Sequence, residues 1–258
     1  MTAPHGPGTG THRWKVGLAA GGSVLAVATL LAWCTSTSPP EEPGAAGRPA
    51  SVPTPARPGR PSSADPLPEL STSAIVPADL SWVEVGGIRL PCSARYGPWH
   101  TGHGLAAGFS ADATGAVLAA AHILIRINPQ LGPAVFRPTL AGQVVGPDAD
   151  ALRTRVEQGY QRLREQFGVT YGQPAGRLYA TLRGFRVDQV SGADVWLHLL
   201  SEAPDGRGST QLSAMLLQLR WTGRDWALVA PLGGAFTGLA GLVSSTESFT
   251  TFDESAPK

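Results

Sequence analysis

Residues 110–129 have the sequence SADATGAVLAAAHILIRINP and predict a helix that is apolar on almost every side. Ser110 is a candidate N-cap, and Asp112 falls in the first turn, where the helix dipole favours a negative charge. An Asn-Pro pair ends the helix. A helix without a polar face belongs inside a folded domain, and its uncharged core from Gly115 to Ile125 is too short to cross a bilayer.

A second helix is predicted downstream, with one apolar face. Pro147 suits its first position, acidic residues fill its first turn, and it ends near Phe167 and Gly168. Its apolar residues recur every three or four positions, at Leu152, Val156, Tyr160, Leu163 and Phe167. The connection 129–146, with three prolines, is predicted to contain a short helix.

Further along the chain the hydrophobic period falls to two, which is typical of strands. We predict strands at Leu178–Val190, Ala193–Leu200, Leu212–Trp221 and Trp226–Ala230. Gly184 is predicted to form a β-bulge, because the apolar residues change parity there. Before the helices, Trp82–Val85 and Ile88–Leu90 predict a small hairpin with a Gly-Gly turn.

The composition divides the chain into a folded domain and flanking segments. Residues 35–78 contain eleven prolines in 44 positions and few large apolar side chains, which predicts a disordered linker. We therefore place the folded domain at 79–234. Residues 235–258 are mostly small and polar, and we predict a flexible tail.

Residues 16–34 form a 19-residue stretch without a charge, VGLAAGGSVLAVATLLAWC. As a helix it would be about 28 Å long, close to the hydrocarbon thickness of a bilayer. Arg13 and Lys15 precede it, so the positive-inside rule predicts a cytoplasmic tail at 1–15 and an extracytoplasmic domain. We predict a single-pass signal anchor in the cell membrane. A cleaved signal peptide and a lipoprotein anchored through Cys34 are the alternatives.

The order of elements predicts an α+β domain in which two or three helices pack on a curved, four-stranded antiparallel sheet, preceded by one transmembrane helix. Over about 110–232 this order resembles the cone-shaped nuclear transport factor 2-like fold. Enzymes of that fold use His–Asp pairs at the mouth of the cone for acid–base chemistry.

A local signature resembles a known family more specifically. Gly108-Phe109-Ser110 and the segment Thr114–Ala120 are similar to the GF…GA-x-x-AA segment of a family of actinobacterial membrane-anchored proteins. Their preceding W…G…P…GP segment corresponds to Trp82, Gly86, Pro91 and Gly97-Pro98. Some members are associated with integrative or conjugative elements. The predicted layout is also similar to bitopic subunits of type IV secretion and Gram-positive conjugation channels, and it implies a structural, non-catalytic role.

His122 and Arg126 are the first candidate binding residues, because they lie four positions apart inside the apolar helix. One interpretation is a core histidine with a hydrogen-bonded ring. The other, implied by the resemblance, places His122 at the mouth of a cone with Asp188 or Asp194 as its partner. Arg126 shares its helix face and is predicted to extend towards solvent or to pair with a carboxylate.

Trp221 and Trp226 are the second pair of candidate residues, on either side of a tight hairpin. Cross-strand packing is the first interpretation, and an exposed patch for a partner is the alternative. Cys92 is interpreted as a small buried group, with a disulfide to Cys34 as the alternative.

No cofactor or metal site is predicted from the sequence. His100 and His103 lack the further ligands that zinc needs, and no Gly-rich phosphate loop or hydrolase nucleophile motif occurs. A net charge of +1 does not indicate nucleic-acid binding.

Three functional hypotheses follow. The first, which we favour, is a non-enzymatic structural or assembly subunit of a cell-envelope complex, most concretely a conjugative-transfer channel. Its partners would be the bilayer, through 16–34, other envelope proteins and further copies of the chain. The second is a ligand-binding or catalytic cone with His122 at its mouth. The third is an extracytoplasmic protein of cell-wall maintenance.

Overall fold

A computed structural model describes residues 73–252. The predicted cytoplasmic tail 1–15, the signal anchor 16–34, most of the linker 35–78 and residues 253–258 lie outside this range. Three helices are described, α1 (Ala113–Arg126), α2 (Pro133–Gly142) and α3 (Ala149–Phe167). None of these helices is long and apolar enough to cross a membrane.

Eleven strands accompany the helices in the described range. They are β1 (Ser81–Val85), β2 (Ile88–Cys92), β3 (His100–Gly102), β4 (Leu105–Ala107), β5 (Val144–Val145), β6 (Thr181–Ser191), β7 (Asp194–Pro204), β8 (Thr210–Trp221), β9 (Trp226–Val229), β10 (Ala240–Val243) and β11 (Thr250–Thr251). β1 pairs with β2 and β3 pairs with β4, each as a separate hairpin.

The other seven strands form one mixed sheet, so the prediction of a curved four-stranded antiparallel sheet was wrong. The strand order is β11-β6-β7-β8-β9-β5, and β10 pairs with one half of β8 while β9 pairs with the other half. β5 runs parallel to β9, whereas all other pairs are antiparallel. The four-stranded arrangement that the resemblance implied is therefore not observed in residues 73–252. The central strands β6 to β9 lie close to the predicted positions, but three short strands extend the sheet.

Helix α1 occupies the centre of the domain. All fourteen of its residues are buried, and it contacts β9, β2 and β7. Its alanines allow the sheet and the β1–β2 hairpin to approach closely, while Leu118 and Ile123 fill the remaining space. We call the sheet face towards α1 the inner face and the opposite face the outer face.

The beginning of α1 differs from the prediction. Asp112, rather than Ser110, is the N-cap, and its carboxylate accepts a hydrogen bond from the Gly115 backbone N–H at 2.8 Å. The Ser110 carbonyl instead accepts a hydrogen bond from the Trp226 indole. Ser110 therefore precedes the helix and ties it to the hairpin between β8 and β9.

Two register shifts bend β6 along its pairing with β7. One lies between Leu182 and Gly184, as the predicted bulge at Gly184 required, and the other lies between Val187 and Gln189. The second shift leaves Asp188 without an opposing residue. A bulged residue can turn its side chain in a direction that regular pairing would not allow.

The fold continues beyond residue 234, where the sequence analysis placed the start of a flexible tail. Phe236 and Phe252 are buried, and β10 and β11 join the main sheet. Because β10 pairs with β8 on the side away from β7, and β11 pairs with β6 on the side away from β7, the connection 244–249 crosses β8, β7 and β6. The Phe249 ring lies 5.1 Å from the guanidinium carbon of Arg186, so the crossing runs over the outer face.

Candidate functional site

A buried polar cluster forms where α1 meets the end of β2. The His122 side chain is fully buried, and its Nε2 lies 2.9 Å from the Pro91 carbonyl oxygen. Its Nδ1 lies 2.8 Å from a guanidinium nitrogen of Arg126. The thiol sulfur of Cys92 lies 3.8 Å from Nε2. The structure thus brings His122 and Arg126 together, as their spacing predicted, and adds Cys92.

These contacts determine the tautomer of His122. A guanidinium group can only donate, so Nδ1 must accept and Nε2 must carry the proton that Pro91 accepts. Nε2 therefore presents a hydrogen, rather than a lone pair, to the Cys92 sulfur. In this arrangement His122 cannot take a proton from the thiol, which a Cys–His nucleophile would require.

The electrostatics of the cluster favour neutral His122 and Cys92. Burial, reinforced by the positive charge of Arg126, lowers the pKa of His122 to about 3. Burial raises the pKa of the Cys92 thiol, and Arg126 only partly opposes this effect. Burial also lowers the pKa of Arg126. Within residues 73–252, no carboxylate forms a salt bridge with Arg126, so the predicted pairing with an acid is not observed there.

The two aspartates considered as partners of His122 lie elsewhere. Asp194 forms a bidentate pair with Arg220 across β7 and β8. Asp188, at the bulge in β6, lies 2.6 Å from Nδ1 of His198 and 2.7 Å from Nε of Arg186. All of these groups lie on strands, away from α1.

The Asp188–His198–Arg186 cluster was missed by the sequence analysis. His198 and Arg186 occupy opposite positions in the β6–β7 pair, and the bulge adds Asp188 to the same surface. The alternation of β7 would have placed His198 on the polar face, but the bulge at Asp188 leaves no local signal in the sequence. The cluster is a solvent-accessible ion-pair network on the outer face.

The hairpin between β8 and β9 is anchored rather than free. The Trp221 and Trp226 rings pack edge to face, with centroids 5.5 Å apart. Trp226 is buried and donates its indole N–H to the Ser110 carbonyl at 2.8 Å. The Asp225 carboxylate accepts backbone N–H bonds from Gly108 at 2.7 Å and Phe109 at 3.1 Å. Trp221 remains half-buried, so the pair is mainly a packing unit.

The same contacts give the GF…GA signature a structural role. Phe109 is buried and packs against the His122 ring at a centroid distance of 5.7 Å. Gly108 has a φ of +76°, which favours glycine. A β-carbon on Gly115 would overlap the Ser110 carbonyl oxygen. These residues join α1 to the hairpin between β8 and β9. The glycines of the signature are explained by the positive φ at Gly108 and by the short distance between Gly115 and the Ser110 backbone.

A groove opens on the outer face beside the ion-pair network. It has a volume of about 220 Å³ and is mainly apolar. Trp196 and Leu216 form its floor, and the segment after β9 forms its wall, with Leu232, Phe236 and Leu239. Leu216 lies opposite His198 in the sheet, so the network borders the groove.

Leu232 forms the rim of this groove and is the most exposed large apolar residue of the described range, at 89%. It belongs to a 3₁₀ turn, Leu232–Gly234, whose backbone is held from both sides. The Gly233 N–H donates to Asp148 at 3.0 Å, and the Gly233 carbonyl accepts from Arg155 at 2.7 Å. An exposed leucine is thus displayed on a fixed backbone.

A second depression, of about 480 Å³, lies at the other end of the sheet. Its charged side chains already have partners, since Arg177 pairs with Glu84 and Glu202 pairs with Arg183. Tyr179 stands exposed at its edge. This depression is an open polar surface, whereas the groove beside Leu232 is mainly apolar and has the exposed Leu232 at its rim.

The two histidines considered as zinc ligands belong to the β3–β4 hairpin. His100 and His103 are exposed, and His103 adopts a φ of +48° at the turn. In the described range, no three His, Cys, Asp or Glu side chains are grouped closely enough to hold a metal ion.

Comparisons with known proteins concern the whole of this domain. No curated protein and no solved structure matches the chain. A family model described as a domain of unknown function, DUF8175, matches residues 44–251. The match begins within the proline-rich segment and ends in β11, and it covers well over half of the chain. The chain therefore belongs to the DUF8175 family.

Proposed function

We propose that the protein is a membrane-anchored, extracytoplasmic subunit that helps to build or hold together a cell-envelope complex. Residues 16–34 would anchor it with the N-terminus in the cytoplasm, the proline-rich segment would act as a tether, and the folded domain would dock to other proteins. A conjugative-transfer channel is the most concrete candidate complex, because the layout and the GF…GA signature resemble proteins associated with such elements.

The proposal is supported by the apolar surface that the outer face of the main sheet leaves exposed. The helices cover the inner face, and the 244–249 crossing covers only part of the outer face. The remaining part exposes an apolar groove and a rigidly held Leu232. Exposed apolar surface that is held in place, with a border of ion pairs, is typical of protein-binding sites.

The buried cluster supports a structural rather than a catalytic role for α1. His122 lies in the core with both ring nitrogens engaged, and the arginine on Nδ1 opposes protonation. His122 is fully buried, so it does not line an open mouth of the domain. A catalytic cone is therefore not proposed as an alternative.

The topology can be tested with protease added to intact protoplasts. We expect cleavage after about residue 35, with loss of the folded domain from the cell surface. Full protection of the domain in intact cells, with cleavage after lysis, would contradict an extracytoplasmic location.

The docking role can be tested by separating the domain from its anchor in a strain that requires the protein. Residues 35–258, exported without residues 1–34, should fail to restore function at normal abundance. The reason is that a tether in the same membrane raises the effective concentration of the domain near its partners. The control is the full-length chain from the same promoter. Complete rescue by the soluble domain would contradict the proposal and favour a freely diffusing binder or enzyme.

A further inference from the structure

We infer that the groove and Leu232 together form a self-complementary surface through which two copies of the chain pair, the Leu232 side chain of each copy entering the groove of the other. This inference rests on the proposed docking function and names one of its partners. We call this surface the Leu232 face and define it by Trp196, Leu216, Leu232, Phe236 and Leu239.

The turn that carries Leu232 is held in a fixed position. Two hydrogen bonds hold Gly233, and Gly234 packs so closely on the backbone of Leu152 that a β-carbon would overlap it. The turn therefore loses little conformational entropy when Leu232 becomes buried in a partner. Such preorganisation strengthens binding without additional contacts.

The size of the groove suits an inserted side chain. An apolar cavity of about 150 Å³ accommodates a benzene molecule in another protein. The groove beside Leu232, at about 220 Å³, has room for a leucine side chain but falls short of the volume usual for a drug-sized ligand, about 300–1,000 Å³. An inserted side chain fits it better than a free small molecule.

The charged groups around the Leu232 face are Arg186 with Asp188, Arg220 with Asp194, and Asp148 and Arg155 at the turn itself. Three arginines and three aspartates cancel in formal charge, so the surface does not select an acidic or a basic partner. A second copy presents the same balanced pattern, and a two-fold axis lets the arginines of one copy approach the aspartates of the other.

The area of the surface suits a weak pair. With strands about 4.8 Å apart and residues about 3.4 Å apart along each strand, the open part of the outer face and segment 231–239 offer on the order of 500 Å² per copy. A pair would bury on the order of 1,000 Å², which is at the low end for specific protein complexes. We therefore expect a weak, reversible dimer. Anchoring both copies in one membrane would favour it further.

The test is the oligomeric state of the full-length chain in a density-matched detergent, measured by sedimentation at several concentrations. The wild-type chain should show a concentration-dependent dimer, and Leu232→Asp should weaken dimerisation at least tenfold. Tyr179→Asp is the matched control, because Tyr179 is also an exposed apolar residue, at 56%, and lies outside the Leu232 face. It should dimerise like wild type.

Two outcomes would overturn the inference. One is a wild-type chain that remains monomeric throughout, and the other is a Leu232→Asp chain that dimerises like the control, as expected if the N-terminal segment alone held the copies together. Circular dichroism melting should first show that both variants are folded. These failures are distinct from failure of the docking function, which only rescue by the anchor-free domain would contradict.

Discussion

A histidine next to a cysteine is often considered as a general base, and at His122 the arginine one helical turn later prevents that use. Arg126 donates to Nδ1, so the ring must carry its hydrogen on Nε2 and donate it to Pro91. A catalytic histidine instead needs a group on Nδ1 that stabilises the protonated ring. The cluster therefore satisfies buried polar atoms, among them the carbonyl at the end of β2.

The buried histidine predicts a specific dependence of stability on pH. The pKa of His122 is about 3 in the folded protein, against an ordinary value of 6.5. Between these values the unfolded chain binds a proton that the folded chain does not bind, so the free energy of unfolding falls as the pH drops below 6.5. From pH 7 to pH 5 the loss due to His122 should be about 2 kcal/mol. Urea unfolding at a series of pH values would measure it.

The His122→Gln variant isolates this effect. Glutamine can still donate to a carbonyl but does not titrate, so we expect lower stability at pH 7 together with a shallower slope between pH 7 and pH 5. An unchanged slope in the variant would mean that other groups cause the acid sensitivity. If the folded variant also lost its biological function, a chemical role for His122 would have to be reconsidered.

At the scale of elements, glycine positions decide how closely helix α1 and its neighbours approach. Gly115 lies in the first turn of α1, where the chain from Ser110 folds back against it. Gly142 lies in the last turn of α2, and a β-carbon there would meet only a Leu105 methyl group at 3.9 Å. Of these two helical glycines, Gly115 therefore has no space for a β-carbon, whereas Gly142 has ample space for one.

These two glycines give a matched pair of predictions. Gly142→Ala should raise the free energy of unfolding by about 0.5–1 kcal/mol, because alanine favours the helix. Gly115→Ala gains the same propensity but forces the Ser110 carbonyl away, and overpacking of this kind costs about 1–3 kcal/mol. Thermal or urea unfolding of both variants would compare them. Equal stabilisation by the two substitutions would show that the Ser110 segment yields easily.

The elements that the sequence predicted well are those with a strong internal pattern. Helix α1 is apolar throughout, α3 repeats its apolar residues, and β6 to β8 alternate over eleven or twelve residues. The short strands β5, β10 and β11 contain two to four residues and show no period. The N-cap was assigned two residues too early, because Ser110 and Asp112 are both good caps and only the contact with Trp226 distinguishes them.

At the scale of the whole molecule, the sheet is completed by pairings that local patterns do not encode. The parallel pairing of β5 with β9 and the position of β10 beside β8 join segments far apart in the chain. This is why the sequence suggested four antiparallel strands. For the site, helical spacing placed His122 and Arg126 on one helix face, but the hydrogen bond between them was not predicted. The Leu232 face could not be predicted, since it depends on where 231–239 lies over the sheet.

The C-terminal segment provides the last prediction, because two of its three phenylalanines complete the core from the far end of the chain. Phe252 packs against Phe185 at 5.3 Å and Trp82 at 5.9 Å between ring centroids, and it links the main sheet to the β1–β2 hairpin. Loss of one buried phenylalanine costs about 3–5 kcal/mol, while whole domains are stable by about 5–15 kcal/mol.

A chain ending after Gly234 loses Phe236, Phe252, β10 and β11, so it should fail to fold and should fall in abundance. A chain ending after Phe252 keeps every described strand and should accumulate like wild type. Abundance, together with resistance to limited proteolysis, would measure both truncations. If the shorter chain proved as abundant and resistant as the longer one, residues 235–252 would not be part of the folded unit.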